Sequence, residues 1–199
     1  MQGEGAQSGR AAVFCRFTGC NLWSGRDQDR AAAACRFCDT DFVGSDGPSG
    51  GRFESAATLV DAILAAWGLG RDHRLVVLTG GEPLLQVDAV LITALKAARF
   101  SIALETNGTR LPPDGIDWVC VSPKSTHDWV LTTGTELKLA YPQPELMPDG
   151  LECLRFDHFF LQPIDGPERE ANTAAAIRYC LNHPRWRLSL QMHKFTGIP

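Results

Sequence analysis

No segment of this 199-residue chain approaches the roughly 20 consecutive apolar residues that a membrane-crossing helix needs, and no export signal opens it. There is no surplus of positive charge either. The 19 Lys and Arg against 23 Asp and Glu leave a net charge of −4, which argues against a nucleic-acid-binding face. Repeats and low-complexity runs are absent. The seven cysteines are an odd number, and without an export signal they point to reduced thiols and metal ligation rather than to a disulfide frame. These absences leave a cytoplasmic protein with no membrane and no nucleic-acid partner. At 44% hydrophobic and 21% charged residues, the composition suits one well-cored domain over residues 1–199.

The chain is organised around Cys20-Asn21-Leu22-Trp23 and, after a polar insert, Cys35-Arg36-Phe37-Cys38-Asp39-Thr40. Two cysteines separated by two residues bring their thiolates together across one tight turn, so both can bind one metal centre. Three thiolates with no obvious fourth suit a four-iron, four-sulfur cluster that leaves one iron open. Cys15 supplies a rival reading, because Cys15, Cys20, Cys35 and Cys38 together would close a structural zinc site. Unliganded core cysteines are a third reading. Alternation along Val13-Phe14-Cys15-Arg16-Phe17 places Cys15 on one face with Val13 and Phe17, most simply a buried one. Spacing alone does not decide among the three.

Residues 12–17, 75–78, 101–104, 118–121, 136–141, 158–161 and 187–192 read as strands. Helices read over 87–98, from Pro167 to about Asn182, and from Ser55, which suits an N-cap ahead of Leu59, Ile63, Leu64 and Trp67 on one face. Strands alternating with helices predict an α/β fold with a parallel sheet, open or curled into a partial (β/α) barrel. Unusual polar residues follow the strands at 79–82, 105–107, 122–124, 162–165 and 193. In a parallel sheet those positions share the C-terminal edge, where α/β active sites are built. The long cysteine loop, 20–51, follows a strand and reaches the same edge.

Thr79-Gly80-Gly81-Glu82-Pro83 offers two glycines that let backbone approach a ligand, and a carboxylate that could take an ammonium group. Paired with the cysteine loop, it resembles the radical S-adenosylmethionine superfamily. That superfamily's usual spacing is Cys-x3-Cys-x2-Cys. Here Ser24 stands where the middle cysteine would fall and an insert delays it to Cys35. The flanks Gln2-Gly3-Glu4-Gly5, Phe14 to Asn21 and Cys38-Asp39-Thr40 resemble the 7-carboxy-7-deazaguanine synthases of 7-deazapurine (queuosine) biosynthesis, a family with a branch carrying the extended loop. Glu105-Thr106-Asn107-Gly108, Ser122-Pro123-Lys124, Leu161 to Gly166 and Gln191-Met192-His193-Lys194 extend the resemblance over nearly the whole chain.

The resemblance implies a single-domain partial barrel of the radical SAM type. It also implies a strand ahead of Gln2, so the chain as given is expected to lack its first N-terminal strand and to leave a neighbouring edge unpaired. The implied reaction is radical ring contraction of 6-carboxy-5,6,7,8-tetrahydropterin to 7-carboxy-7-deazaguanine and ammonia. The implied cofactors are a 4Fe–4S cluster, S-adenosyl-L-methionine and Mg²⁺. Cys20, Cys35 and Cys38 would ligate the cluster and Thr40 the Mg²⁺. Phe37, Cys38, Asp39, Gly81, Ser122, Pro123, Lys124, Gln162, Pro163, Ile164 and Asp165 would line S-adenosylmethionine. Met1, Gln2, Gly3, Arg16, Thr79 and Pro199 would hold the pterin, Arg16 by a bidentate pair with its carboxylate. The family also implies a homodimer and a flavodoxin or ferredoxin as electron donor. Two rivals stand beside this reading. One is a superfamily relative with another substrate, against which Gln2, Glu4 and Arg16 speak; the other is a zinc-stabilised binding module.

Overall fold

A computed structural model describes every residue except Pro48, His127, Asp128 and Pro199. Seven strands form one parallel sheet in strictly sequential order. They are β1 (Val13–Phe17), β2 (Leu75–Gly80), β3 (Ser101–Thr106), β4 (Trp118–Val121), β5 (Thr133–Tyr141), β6 (Arg155–Pro163) and β7 (Trp186–Leu188). The sheet is open, with β1 and β7 as its edges, and among the described residues no strand precedes β1.

The main helices are α1 (Ala56–Trp67), α2 (Ala89–Ala97) and α3 (Arg169–Asn182), and a short α4 (Met192–Thr196) closes the described chain. Among the described residues no helix is long and apolar enough to cross a membrane. Ser55 caps α1 as expected: its Oγ accepts from Thr58 N at 3.2 Å, in a reciprocal capping box. Asp88 caps α2 through a single bond, its Oδ1 accepting from Leu91 N at 2.8 Å, and that helix starts two residues later than the periodicity predicts. Strict alternation of strand and helix fails in the middle. Among the described residues the β3–β4 and β4–β5 connections carry no helix.

Period-2 alternation divides the sheet into two unlike faces. Val76, Leu78, Ile102 and Leu104 are each fully buried on the outer face, beneath Val60 and Ile63 of α1 and Leu91, Ile92 and Leu95 of α2. A second outer cluster joins Leu137, Leu139, Phe159 and Leu161 to Ala176 of α3 and to Trp186. Each such side chain contributes about 1.5–3 kcal/mol by leaving water. On the inner face Leu75, Val77 and Ala103 form a small apolar floor with Phe14 and Trp118. Toward the C-terminal edge the residues in step with that floor become Arg16, Thr79, Glu105, Lys138 and Gln162. Register sets Arg16 opposite Thr79 and Ala140 opposite Gln162, and puts Thr79 level with Glu105 one step beyond the Leu78–Leu104 pair.

The last strand is shorter than its sequence predicts. Instead of running over 187–192 it ends at Leu188; Ser189 N still donates to Leu161 O of β6 at 2.9 Å, and beyond it the chain turns to the N-terminal segment. Gly5 N donates to Ser189 Oγ at 2.9 Å and Met192 N donates to Gly3 O at 3.0 Å.

Candidate active site

A cavity of about 440 Å³ opens at the C-terminal edge of the inner face. Cys20, Cys35 and Cys38 line it, whereas Cys15 packs into the outer core under α1. The sheet therefore separates Cys15 from the other three, and a four-thiolate zinc site cannot form. Among the described residues no three Cys, His, Asp or Glu side chains converge on one ion position. Cys20, Cys35 and Cys38 all line this cavity and interact with one another, and three thiols without a fourth suit a polynuclear cluster. The Cys35–Cys38 pair is electrostatically asymmetric. A hydrogen bond from Cys35 draws the Cys38 thiol down to about 6, helped by the Lys124 ammonium, while that same bond and burial push Cys35 up.

The Gly80-Gly81 turn is shaped by the cysteine loop lying against it. A Cβ on Gly81 would stand 2.0 Å from Gly19 O, and one on Gly80, at φ +120°, would stand 2.3 Å from Phe17 O. Gly81 N donates to Phe17 O and Glu82 N to Gly19 O, both at 2.9 Å. Glu82 is not free to take an ammonium group, contrary to the expectation from its position. Its buried carboxylate accepts from Leu84 N at 3.0 Å, Thr106 Oγ1 at 2.8 Å and Asn107 N at 2.8 Å. It thereby ties the turn after β2 to the turn after β3. Asn107 continues the tie, donating through Nδ2 to Asn21 Oδ1 at 2.9 Å, one residue from Cys20.

The inner face carries a buried charge network. Glu105 Oε1 accepts from Gln2 Nε2 at 3.1 Å and pairs with Lys138 Nζ at 3.4 Å, and its Oε2 accepts from Thr79 Oγ1 at 3.0 Å. Lys138 also pairs closely with Glu4. Burial pushes the Glu4 carboxyl up, but the Lys138 ammonium overrides it and holds Glu4 below the ordinary carboxylate range. Burial opposes charge on Lys138 as well, and Glu105 and Glu4 outweigh it, so its pKa is raised. Arg16 lines the same cavity from β1, its guanidinium 5.5 Å from the Phe14 ring, with no ion-pair partner among the described residues.

A strap from the C-terminal segment crosses the rim. Gln191 Nε2 reaches Glu4 Oε1 at 3.2 Å and Asp39 Oδ2 at 2.9 Å. Lys194 Nζ bridges Asp39 and Asp165 at 2.6 Å each.

Of the residues singled out in the sequence, Met1, Gln2, Arg16, Phe37, Asp39, Thr40, Thr79, Gly81, Ser122, Lys124, Gln162, Pro163, Ile164 and Asp165 join the three cysteines around this cavity. Gly3 lies beside it against α4, where a Cβ would meet His193 Nδ1 at 2.9 Å. Pro123 sits behind Lys124, its carbonyl 3.4 Å from Gln143 Nε2. Pro199 lies outside the described residues. Lys138 and Gln191 had no role in the sequence reading, nor did Glu105 have a definite one.

Residues 28–128 match the radical SAM superfamily. Over its full length the chain is 62% identical to the 7-carboxy-7-deazaguanine synthase of Bordetella pertussis, covering 95% of that protein. It is 60% identical to the 7-carboxy-7-deazaguanine synthase of Caulobacter vibrioides, again over the whole chain and 95% of the relative. Among solved structures, that of QueE from Escherichia coli superimposes with a TM-score of 0.67 at 24% identity, covering 97% of this chain and 90% of that one. At that identity the likeness speaks to the fold.

Proposed function

The chain belongs to the 7-carboxy-7-deazaguanine synthases of the radical SAM superfamily, and on that premise we propose how its own residues carry the reaction from 6-carboxy-5,6,7,8-tetrahydropterin. The observation that carries the reading is the meeting in one cavity of three thiols, an arginine with no ion-pair partner among the described residues, and half-buried carboxylates around a buried lysine. When bound by Cys20, Cys35 and Cys38, a 4Fe–4S cluster supplies the electron that cleaves S-adenosylmethionine and starts the radical reaction. The protein's work is placement and exclusion of water.

Phe37, Cys38, Asp39, Gly81, Ser122, Pro123, Lys124, Gln162, Pro163, Ile164 and Asp165 form the S-adenosylmethionine side of the cavity. Gly81 leaves open backbone there, a shape that already follows from the close passage of Gly19. Arg16 takes the substrate carboxylate, since a planar fork without a protein partner is matched to a second carboxylate geometry. Glu105, paired with Lys138 and oriented by Thr79 and Gln2, accepts from the amino and ring N–H donors along the pyrimidine edge of a pterin. Met1 and Gly3 complete the pterin side. Thr40 offers Mg²⁺ one protein oxygen, with substrate oxygens and water supplying the rest. A homodimer that receives electrons from a flavodoxin or ferredoxin completes the reading.

The test is turnover. Anaerobic protein given S-adenosylmethionine, a reductant, Mg²⁺ and the carboxytetrahydropterin is expected to release 7-carboxy-7-deazaguanine and ammonia, detected by mass spectrometry. Protein with a full cluster that forms 5′-deoxyadenosine but leaves this pterin untouched contradicts the substrate assignment.

A further inference from the structure

The insert between Cys20 and Cys35 folds around one side chain. Its 3₁₀ helix, Asp27–Ala32, carries Arg30. The Arg30 guanidinium donates through Nη1 to Arg36 O and to Cys38 O, both at 3.0 Å. Its Nε and Nη2 donate to Asp27 Oδ1 at 3.2 and 3.0 Å. The flat of the same group lies 4.0 Å from the centroid of the Trp23 ring. Trp23 is buried edge-on against Phe42 at 5.6 Å and fixed by its Nε1 bond to Arg26 O at 3.2 Å. Arg30 is thus seated on a rigid ring and aligned by a carboxylate, and it grips two carbonyls of the turn that presents Cys35 and Cys38.

We propose that Arg30 is a positioning residue for the cluster: its fork fixes the Cys35–Cys38 turn in the spacing that the thiols must hold. A short loop between the first two cysteines would restrain that turn through its own covalent length; a long insert cannot, because closure entropy grows with loop length. Arg30 restores the restraint by a non-covalent clasp. Lysine cannot do the same, since a point charge neither stacks flat on an indole nor brackets two carbonyls and a carboxylate together. The side chain is about 35% exposed, so its through-space charge is screened by water. The assignment therefore rests on the hydrogen-bond geometry.

This inference rests on the cluster reading above, and its test separates the two. Parent, Arg30→Gln and Arg30→Lys proteins are reconstituted anaerobically with iron and sulfide. Iron and sulfide content, the rate at which a chelator strips the iron, the electron paramagnetic resonance line shape of the reduced cluster and the melting temperature of the apo protein are then measured. Arg30→Gln is expected to lose iron about tenfold faster than the parent and to give a broadened resonance, at an unchanged apo melting temperature. Arg30→Lys is expected to fall between the two. A parent that takes up no iron and sulfide sinks the cluster reading itself. A loaded parent whose Arg30→Gln or Arg30→Lys variant is stripped at the parent rate overturns the positioning role. Faster stripping matched by an equal loss of apo stability overturns it too, since Arg30 would then be a general structural residue.

Discussion

The two faces of one sheet obey opposite rules. On the outer face Leu104 sits in an apolar cluster with residues of α1 and α2, both of which precede it in the chain. On the inner face its immediate successor, Glu105, is held by Gln2, 103 positions away, and by Lys138, 33 positions away. The outer face makes the fold stable. The inner face spends some of that stability on buried charge, which is costly unless every member is paired. Adjacent residues of a single strand thus serve stability and chemistry separately.

The largest expected effect comes from Lys138→Met, which leaves the half-buried Glu4 and Glu105 carboxylates without their buried cation. Removing one partner of a buried pair costs about 3–5 kcal/mol, and turnover should collapse. The pH dependence of stability should also change sign. In the parent, Glu4 titrates below its unfolded value, so its contribution is full above about pH 4.3 and is lost as the pH falls through the lowered folded value. Without Lys138, only the neutral Gln191 and Gln162 side chains oppose burial, which is expected to lift the folded value above the unfolded one. Melting temperature should then fall, not hold, as the pH rises past the carboxylate range. A parent-like melting profile would show that Lys138 does not govern the network.

The comparison is sharpened by neighbours on β3. Leu104→Ala should cost about 2–5 kcal/mol of stability and leave KM unchanged below the melting transition. Glu105→Gln leaves Lys138 its Glu4 partner, so it should cost less stability than Leu104→Ala and lower kcat/KM about 10- to 100-fold, the loss of charge-assisted acceptance. Measured together by thermal melting and steady-state kinetics, the pair breaks the account if both variants lose mainly stability or both mainly activity.

The outer half of this picture is legible in the sequence. Apolar alternation marks the strands, Ser55 marks the start of α1, and the face assigned to Cys15 is the one it occupies. The polar residues that follow the strands also identify the edge where the cavity opens. Lys138 is hidden, because within a strand a single lysine between leucines carries no signal of Glu4, 134 positions away. Gln191 and Lys194 are hidden for the same reason, each meeting Asp39 across more than 150 positions. For Glu82, set beside two glycines, the sequence leaves both a ligand contact and a helix start open, and its partners Thr106 and the Asn107 amide lie on the next strand's turn, out of reach of local pattern. Beyond β7 the chain turns to a segment from its opposite end, which local pattern cannot reveal.

The sharpest test is the iron, sulfide and zinc content of anaerobically prepared parent, Cys15→Ala and Cys38→Ala proteins. A cluster held on the inner face by Cys20, Cys35 and Cys38 requires iron and sulfide in equal amounts in the parent and in Cys15→Ala, and neither in Cys38→Ala. Zinc in place of iron, or a metal lost when Cys15 is replaced, would contradict the account.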